Sequence, residues 1–232
     1  MFTNWKIFEN YNNICVTSTV KQQLNKYYEF LVKENSKYNL TRITNINEVF
    51  EKHFLDSLLF TENYPISNQK IADIGTGPGF PGVVIKIFFP ETKITLIESN
   101  NKKVNFLKQL INELNLTDIE ITNERAEKFS LNNIEKYDLV ISRAVAYLDI
   151  LLEIGVQMIK VNGHFIALKG PRAEEEINNL KGKDERIKLK LVDKQILKDV
   201  GFGTRINLFY LKTDTTNKMY PRKYSQIKKE SQ

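Results

Sequence analysis

The run Ile71-Ala72-Asp73-Ile74 leads directly into a turn with glycine at 75, 77, 79 and 82, and no other stretch limits the possible folds as sharply. An apolar strand that ends in closely spaced glycines can take positive φ and bring its backbone close to a ligand, because no Cβ stands in the way. Pro81 or a neighbour can open a helix just beyond, since a fixed φ suits the first helical turn. Strand, glycine turn and helix in this order point to an open α/β sheet, which binds ligands beyond the carboxyl ends of its strands.

Two cofactor classes compete for such a turn. Gly77, Gly79 and Gly82 satisfy the dinucleotide spacing G-x-G-x-x-G, a weak signal on its own. A pyrophosphate favours a helix N-terminus without a carboxylate beside it, whereas Asp73 stands two residues before Gly75. A negative charge there repels a diphosphate and suits a ligand with a sulfonium and an ammonium group, which S-adenosyl-L-methionine presents. Asp73, Gly75, Gly77 and Gly79 are therefore the expected cofactor turn. The next strand-like run, Ile94-Thr95-Leu96-Ile97, ends at Glu98, 19 residues after Gly79. A carboxylate so placed accepts ribose hydroxyls and serves either cofactor, so it indicates a nucleoside without choosing the chemistry. Taken alone, Glu98 reads as a solvated strand end; beside the glycine turn it reads as a ribose ligand.

The 232 residues allow one domain of ordinary size with an added segment. The single cysteine, Cys15, excludes an internal disulfide framework and a thiolate cluster for a metal, and no metal site is expected. With no export leader and no apolar run of membrane-span length, the chain is expected to be cytoplasmic, neither secreted nor embedded in a membrane. A net charge of +6 permits a polyanionic partner without demanding one. Half of it, +3, falls in Thr213–Gln232, where Lys218, Arg222, Lys223, Lys228 and Lys229 meet only Asp214 and Glu230. This segment is expected to be a mobile basic tail, touching phosphates or simply solubilising the chain end. Tyr220 and Tyr224 add rings for stacking.

Ahead of the glycine turn the periodicity is helical. Val20, Leu24, Tyr27 and Leu31 share one face, and a second helix is expected from about Asn47 to Phe60 on Val49, Phe50, Phe54, Leu58 and Leu59. From Ile71 strand and helix patterns alternate, with strands expected near 70–74, 93–98, 118–123, 137–141 and 163–169, the signature of a parallel, doubly wound sheet. Two further strand-like runs, Lys188–Lys198 and Arg205–Lys212, are separated only by Asp199–Thr204. So short a link forces antiparallel pairing. A Rossmann-like α/β sheet, mostly parallel and finished by an antiparallel hairpin, is the layout of the class I methyltransferases; a dinucleotide dehydrogenase usually repeats the parallel half. The expected division is an N-terminal helical extension, 1–65, packed on a cofactor-binding core, 66–212, followed by the tail, 213–232.

Methyl transfer from a sulfonium is an in-line displacement, for which alignment alone supplies about 7–11 kcal/mol of barrier reduction. Enzymes that methylate exocyclic amines typically carry an Asn/Asp-Pro-Pro-aromatic turn after the fourth strand, where this chain has Ile141-Ser142-Arg143-Ala144. Methylation at pyrimidine C5 requires a cysteine nucleophile, and Cys15, far upstream of every motif, reads as a small core residue. What remains are acceptors with an available lone pair, such as a purine N7, or oxygen and carboxylate acceptors assisted by a base. Guanine N7 needs no deprotonation and yields a cationic product, which carboxylates or stacked rings stabilise. His164 sits in the turn-like Asn162-Gly163-His164. His53, in His53-Phe54-Leu55-Asp56-Ser57-Leu58, is the better catalytic candidate, or else a helix-face histidine bonded to a carboxylate.

Asn39-Leu40-Thr41, the His53–Leu58 segment, Asp73–Gly82, Ile141–Ala144 and Leu168-Lys169-Gly170, taken in order, resemble the glucose-inhibited division protein B family, bacterial guanine-N7 methyltransferases of 16S ribosomal RNA. The resemblance is strong from Lys37 to Gly170 and extends less distinctly to Tyr220-Pro221-Arg222-Lys223. It implies methyl transfer from S-adenosyl-L-methionine to 16S ribosomal RNA, free or in the small ribosomal subunit, by a chain that is a monomer by default. It also implies cofactor contacts at Gly75, Phe80, Ala126, Glu127 and Arg143. Phe80 can pack on apolar parts of the cofactor, Ala126 leaves room for adenine and Glu127 can accept from a polar edge. Arg143 can hold a carboxylate or a phosphate, or hydrogen-bond guanine O6. Lys169 and Arg205, near the open edge of the pocket, and Arg222 and Lys223 in the tail are candidate RNA contacts. Other readings of the same residues are a class I methyltransferase for a small molecule or protein, and a noncatalytic ribosome-assembly RNA binder.

Overall fold

Seven runs of alternating or continuous aliphatic residues form one sheet: β1 (Lys70–Ile74), β2 (Lys93–Ile97), β3 (Ile119–Thr122), β4 (Tyr137–Arg143), β5 (Ile159–Lys169), β6 (Leu189–Leu197) and β7 (Arg205–Lys212). The computed structural model describes residues 1–198 and 200–231; Asp199, in the link between the last two strands, and Gln232, at the end of the tail, lie outside the described residues. The strand order is β3-β2-β1-β4-β5-β7-β6. Neighbours from β3 to β5 are parallel, while β7 runs antiparallel to both β5 and β6, the mostly parallel sheet with a terminal hairpin that the short 199–204 link requires. The order reverses between β1 and β4, so the crevice for a ligand opens above the carboxyl ends of those strands.

His164 is not in a turn. It lies inside β5, paired with Leu139 and Leu211 and packed 5.0 Å from the Tyr64 ring. Asn162 takes φ +67 and the neighbouring β4 register shifts between Tyr137 and Leu139, so the polar Asn-Gly pair bends the strand through a bulge without ending it.

Two short helical turns begin and end the N-terminal segment's approach to the sheet. After α1 (Lys6–Glu9), α2 (Ser18–Tyr38) is capped by the Thr17 hydroxyl, which accepts from Val20 N–H, and it ends at Asn39 in the left-handed conformation, φ +56. The second helix departs from expectation. In place of one helix over 47–60, α3 (Ile46–Val49) widens into a π-helical turn at Phe50–Leu55, and a 3-10 turn follows at Leu59–Glu62. The wider turn buries Phe50, Phe54 and Leu55 together and aims the carbonyls of Lys52 and His53 at Arg143. Such insertions re-aim backbone groups where a site needs them.

The remaining helices, α4 (Gly82–Phe88), α5 (Asn101–Glu113), α6 (Ala126–Asn132), α7 (Leu148–Gly155), α8 (Ala173–Asn178), α9 (Lys183–Arg186) and α10 (Tyr224–Glu230), cover the sheet or edge it. Alternation along β1 divides the core in two. Ile71 faces α4, α5 and the N-terminal aromatics Phe8, Tyr27, Phe50 and Phe54, while Ala72 and Ile74 face Leu151, Phe165, Leu208 and Tyr210. Residues 1–65 therefore share one hydrophobic core with the sheet.

The described part of the tail, 213–231, is docked, contrary to the mobile end expected from its composition. Thr216 and Ile227 are buried, the buried Gln157 amide donates to the carbonyls of Asn217 and Tyr220, each at 2.9 Å, and Arg222 embraces Glu153. Composition could not show this, because the partners that hold the tail are polar groups buried on α7 and the turn after it.

Candidate cofactor cleft

The glycine turn is braced from both sides. Gly75 N–H and Thr76 N–H donate to the carbonyl of Ile97, at 2.8 and 3.3 Å, which ties the end of β1 to the end of β2. Gly79 has φ +107, and a Cβ there would stand 2.6 Å from the Tyr27 hydroxyl. That hydroxyl donates to the carbonyl of Pro78 at 2.5 Å, and burial holds its pKa well above the usual tyrosine range, so the phenol stays protonated as a donor. Gly75, at φ +65, lies directly under Val145: a Cβ would meet Val145 Cγ2 at 2.5 Å.

Asp73 is fully buried, on the face of β1 turned toward α4. Its Oδ2 accepts from Gly82 N–H at 2.8 Å, and the buried Thr76 hydroxyl lies beside the carboxyl. Burial pushes the Asp73 carboxyl up to about 6. The expectation that Asp73 lines the cofactor site is corrected accordingly. The cleft opens on the other face of β1, where Ile74 points, and Asp73 shapes the turn from behind. Its bond to Gly82 still bears on the choice of ligand, because a pyrophosphate needs the first free amide of α4 and that amide is taken.

A cleft of about 300 Å³ opens above the ends of β1 and β2, and Gly75, Glu98, Ala126 and Glu127 meet in its wall. Glu98 is nearly buried, with Oε2 accepting from Gly77 N–H at 3.1 Å and Oε1 from Asn100 N–H at 2.8 Å. Each carboxylate oxygen has two lone pairs, so both retain capacity for a hydroxyl donor. Gly77 touches the cleft through that bond. Ala126 opens α6 with a methyl group only, and Glu127 accepts from Arg125 Nε at 3.2 Å. Sequence reasoning missed Lys103 and Arg125, which also line the cleft, as does Tyr224, foreseen only as a stacking ring of the tail. Arg125 stands next to the Ala126-Glu127 pair, but nothing in its local pattern distinguishes it.

Phe80 and Arg143 lie on the opposite shoulder. Phe80 is buried, with its ring stacked on Tyr27 at 5.5 Å and on His53 at 4.7 Å, under the Arg143 guanidinium at 5.0 Å. The N-terminal segment thus covers most of the ring that the resemblance places against the cofactor. Arg143, the last residue of β4, donates from Nη1 to Asp56 Oδ2 at 3.0 Å and to the carbonyls of Lys52 and His53, each at 3.3 Å. Of its foreseen partners, the carboxylate is realised. Asp56 Oδ1 accepts from Arg205 Nε at 2.7 Å, so Arg205 is an internal tie between β7 and the π turn, not a free RNA contact. His53 bonds the Thr41 hydroxyl at 3.0 Å, with no carboxylate bonded to it among the described residues. Burial and the neighbouring Arg143 lower its pKa to about 4, so the ring is neutral at pH 7.

Two other expected contacts are internal. Lys169 is buried and donates to Ala146 O at 2.8 Å and Glu176 Oε2 at 2.7 Å, while that same Glu176 oxygen accepts from Leu148 N–H. Burial lowers the pKa of Lys169. Together they clamp the loop 144–147, whose first residue, Ala144, has φ +55, a strained conformation for a residue with a Cβ. Arg222 is spent on Glu153 and Glu230. Lys223 is exposed, as is Cys15, which is not the core residue foreseen.

The cleft suits a nucleoside. A diol acceptor, a small residue at the start of α6 and the Gly75 backbone line one wall. The family model described as rRNA small subunit methyltransferase G matches residues 20–205. The chain is 64% identical over 231 residues to Ribosomal RNA small subunit methyltransferase G of Mycoplasma capricolum, covering 100% of both. It is 60% identical over 231 residues to the protein of the same name from Mesoplasma florum, covering 100% of this chain and 98% of that one. Among solved structures, M. jannaschii TYW2 in complex with AdoMet shares the fold, with a TM-score of 0.58 at 16% identity over 74% of this chain and 79% of that one.

Proposed function

Because the chain belongs to the rRNA small subunit methyltransferase G family, we propose that it transfers a methyl group from S-adenosyl-L-methionine to N7 of a guanine in 16S ribosomal RNA. The observation that carries the cofactor half is Glu98 facing the same cleft as the Gly75 cradle, while the α4 amide that a pyrophosphate would need is closed by Asp73. Bound there, the cofactor supplies a methyl group on a sulfonium centre. Glu98 holds the ribose diol, and Gly75, with no Cβ, lets the Val145 side chain close over the end of β1. The strained Ala144 and the Lys169–Glu176 clamp set the height of the 144–147 loop over the cleft, fixing the direction from which an acceptor approaches.

The acceptor half rests on family membership together with the state of His53. A histidine whose pKa is about 4 is a poor base at neutral pH, and guanine N7 offers its lone pair without losing a proton. No described helix is long and apolar enough to cross a membrane. We infer a cytoplasmic monomer that meets its RNA as naked 16S RNA or within the small ribosomal subunit. Incubation of the purified chain with labelled S-adenosyl-L-methionine and either naked 16S RNA or small subunits tests this. Label in RNA that nuclease releases supports the reading, and label that persists in protein or small molecules after nuclease treatment sends the acceptor elsewhere.

A further inference from the structure

The segment after residue 205 lies beyond the family match, yet it reaches the cleft. Tyr224, at the start of α10, lines the same cavity as Glu98 and Ala126. Its ring lies 4.7 Å from the Arg125 guanidinium, and Arg125 in turn bonds Glu127. A planar cation over an aromatic face, next to a small residue, is a surface on which a flat heterocycle packs well.

What makes this more than a chance contact is how firmly Tyr224 is presented. Upstream, the Gln157 amide grips the carbonyls of Asn217 and Tyr220. Arg222 then closes on both oxygens of Glu153, at 2.9 and 2.7 Å. Downstream, Ile227 is buried, Glu230 pairs with Arg222 at 2.7 Å and the Ser231 hydroxyl donates to Asp149 at 2.6 Å. Glu153 and Asp149 both belong to α7. The chain end is thus a belt fastened to α7 on either side of one aromatic residue.

Resting on the cofactor reading above, we propose that this C-terminal belt is part of the cofactor site, with Tyr224 and Arg125 forming the wall against which the adenine of S-adenosyl-L-methionine packs. Arg222 then serves to fasten the segment, and its aromatic residue serves the ligand. The cofactor in turn stabilises the docked belt.

Calorimetric titration of the full chain with S-adenosyl-L-methionine, and hydrogen exchange of the wild type with and without it, test the proposal. Tyr224→Ala is expected to weaken binding about tenfold, the range of one stacked base, and Tyr224→Phe to restore it because the ring remains. In turnover, Tyr224→Ala raises the cofactor KM and leaves kcat at saturation unchanged, a split that mere loosening of the fold would not give. In the wild type, amide exchange over 220–228 slows when the cofactor is added. Wild-type affinity retained by Tyr224→Ala, or exchange over 220–228 indifferent to the cofactor, overturns the proposal and leaves the cofactor reading intact. A wild-type chain that does not bind S-adenosyl-L-methionine overturns both.

Discussion

Asp56→Ala removes the one carboxylate shared by Arg143 and Arg205. The Asp56 side chain is 8% exposed, Arg143 12% and Arg205 24%, so two guanidiniums are left with little water and no counter-charge. Deleting one member of a buried ion pair costs about 3–5 kcal/mol. Arg205 can recover part of its hydration, which puts the expected loss near the low end, about 3 kcal/mol. For a chain of this size each kcal/mol lowers Tm by about 2–4 °C, so melting is expected to fall by about 6–12 °C. Scanning calorimetry and urea titration at pH 7 measure it. The double variant Asp56→Ala/Arg205→Ala should recover part of the loss, because one uncompensated charge goes with it. Added salt should recover part as well, by screening the two cations from each other. A loss below about 1 kcal/mol, the range of exposed pairs, would refute the idea that this bridge fastens the π turn to β4 and β7.

Three further outcomes follow from the glycine turn. Asp73 has a folded pKa of about 6, above the 3.8 of an ordinary aspartate, so the folded state holds its proton more tightly than the unfolded chain. Its contribution to stability is full below pH 3.8 and is lost as pH rises through about 6, a change of about 3 kcal/mol at about 1.4 kcal/mol per unit. Asp73→Asn should flatten the urea midpoint across that window, and an unaltered pH profile would show that Asp73 does not titrate there. Glu98→Ala should weaken S-adenosyl-L-methionine binding by at least about tenfold, the worth of one charge-assisted hydrogen bond, as read by calorimetry. Undiminished affinity would remove Glu98 from the ribose role. Gly82→Ala places a Cβ against Leu96 and 2.8 Å from Asp73 Oδ2, an overpacking worth about 1–3 kcal/mol. A wild-type denaturation midpoint would mean that the turn relaxes at no cost.

The strands were legible because each is a short aliphatic run closed by polar or glycine residues, and the hairpin because a seven-residue link between Leu197 and Arg205 leaves room only to turn back. Glu98 was readable as a candidate ribose ligand because it follows a strand end, and strand ends of a parallel sheet share one rim; Ala126 and Glu127 came from the family resemblance alone, and the structure puts all three in one cleft wall. The direction of each side chain at that rim was not legible. Asp73 and Ile74 differ by one position and therefore by a whole face of the sheet, and Phe80 is covered by Tyr27 and His53, which lie 53 and 27 residues earlier in the chain. The same limit explains Lys169, Arg205 and Arg222. A basic residue near a pocket looks free in sequence, and only its partners at Glu176, Asp56 and Glu153 show that its charge is spent inside the protein.

Nucleoside analysis of 16S RNA after reaction with the purified chain and labelled S-adenosyl-L-methionine tests the central claim most directly. Small subunits from cells lacking this activity serve as substrate. Label recovered as 7-methylguanosine is the predicted result. Label recovered in another methylated nucleoside, or none in RNA while the cofactor still binds, would contradict it.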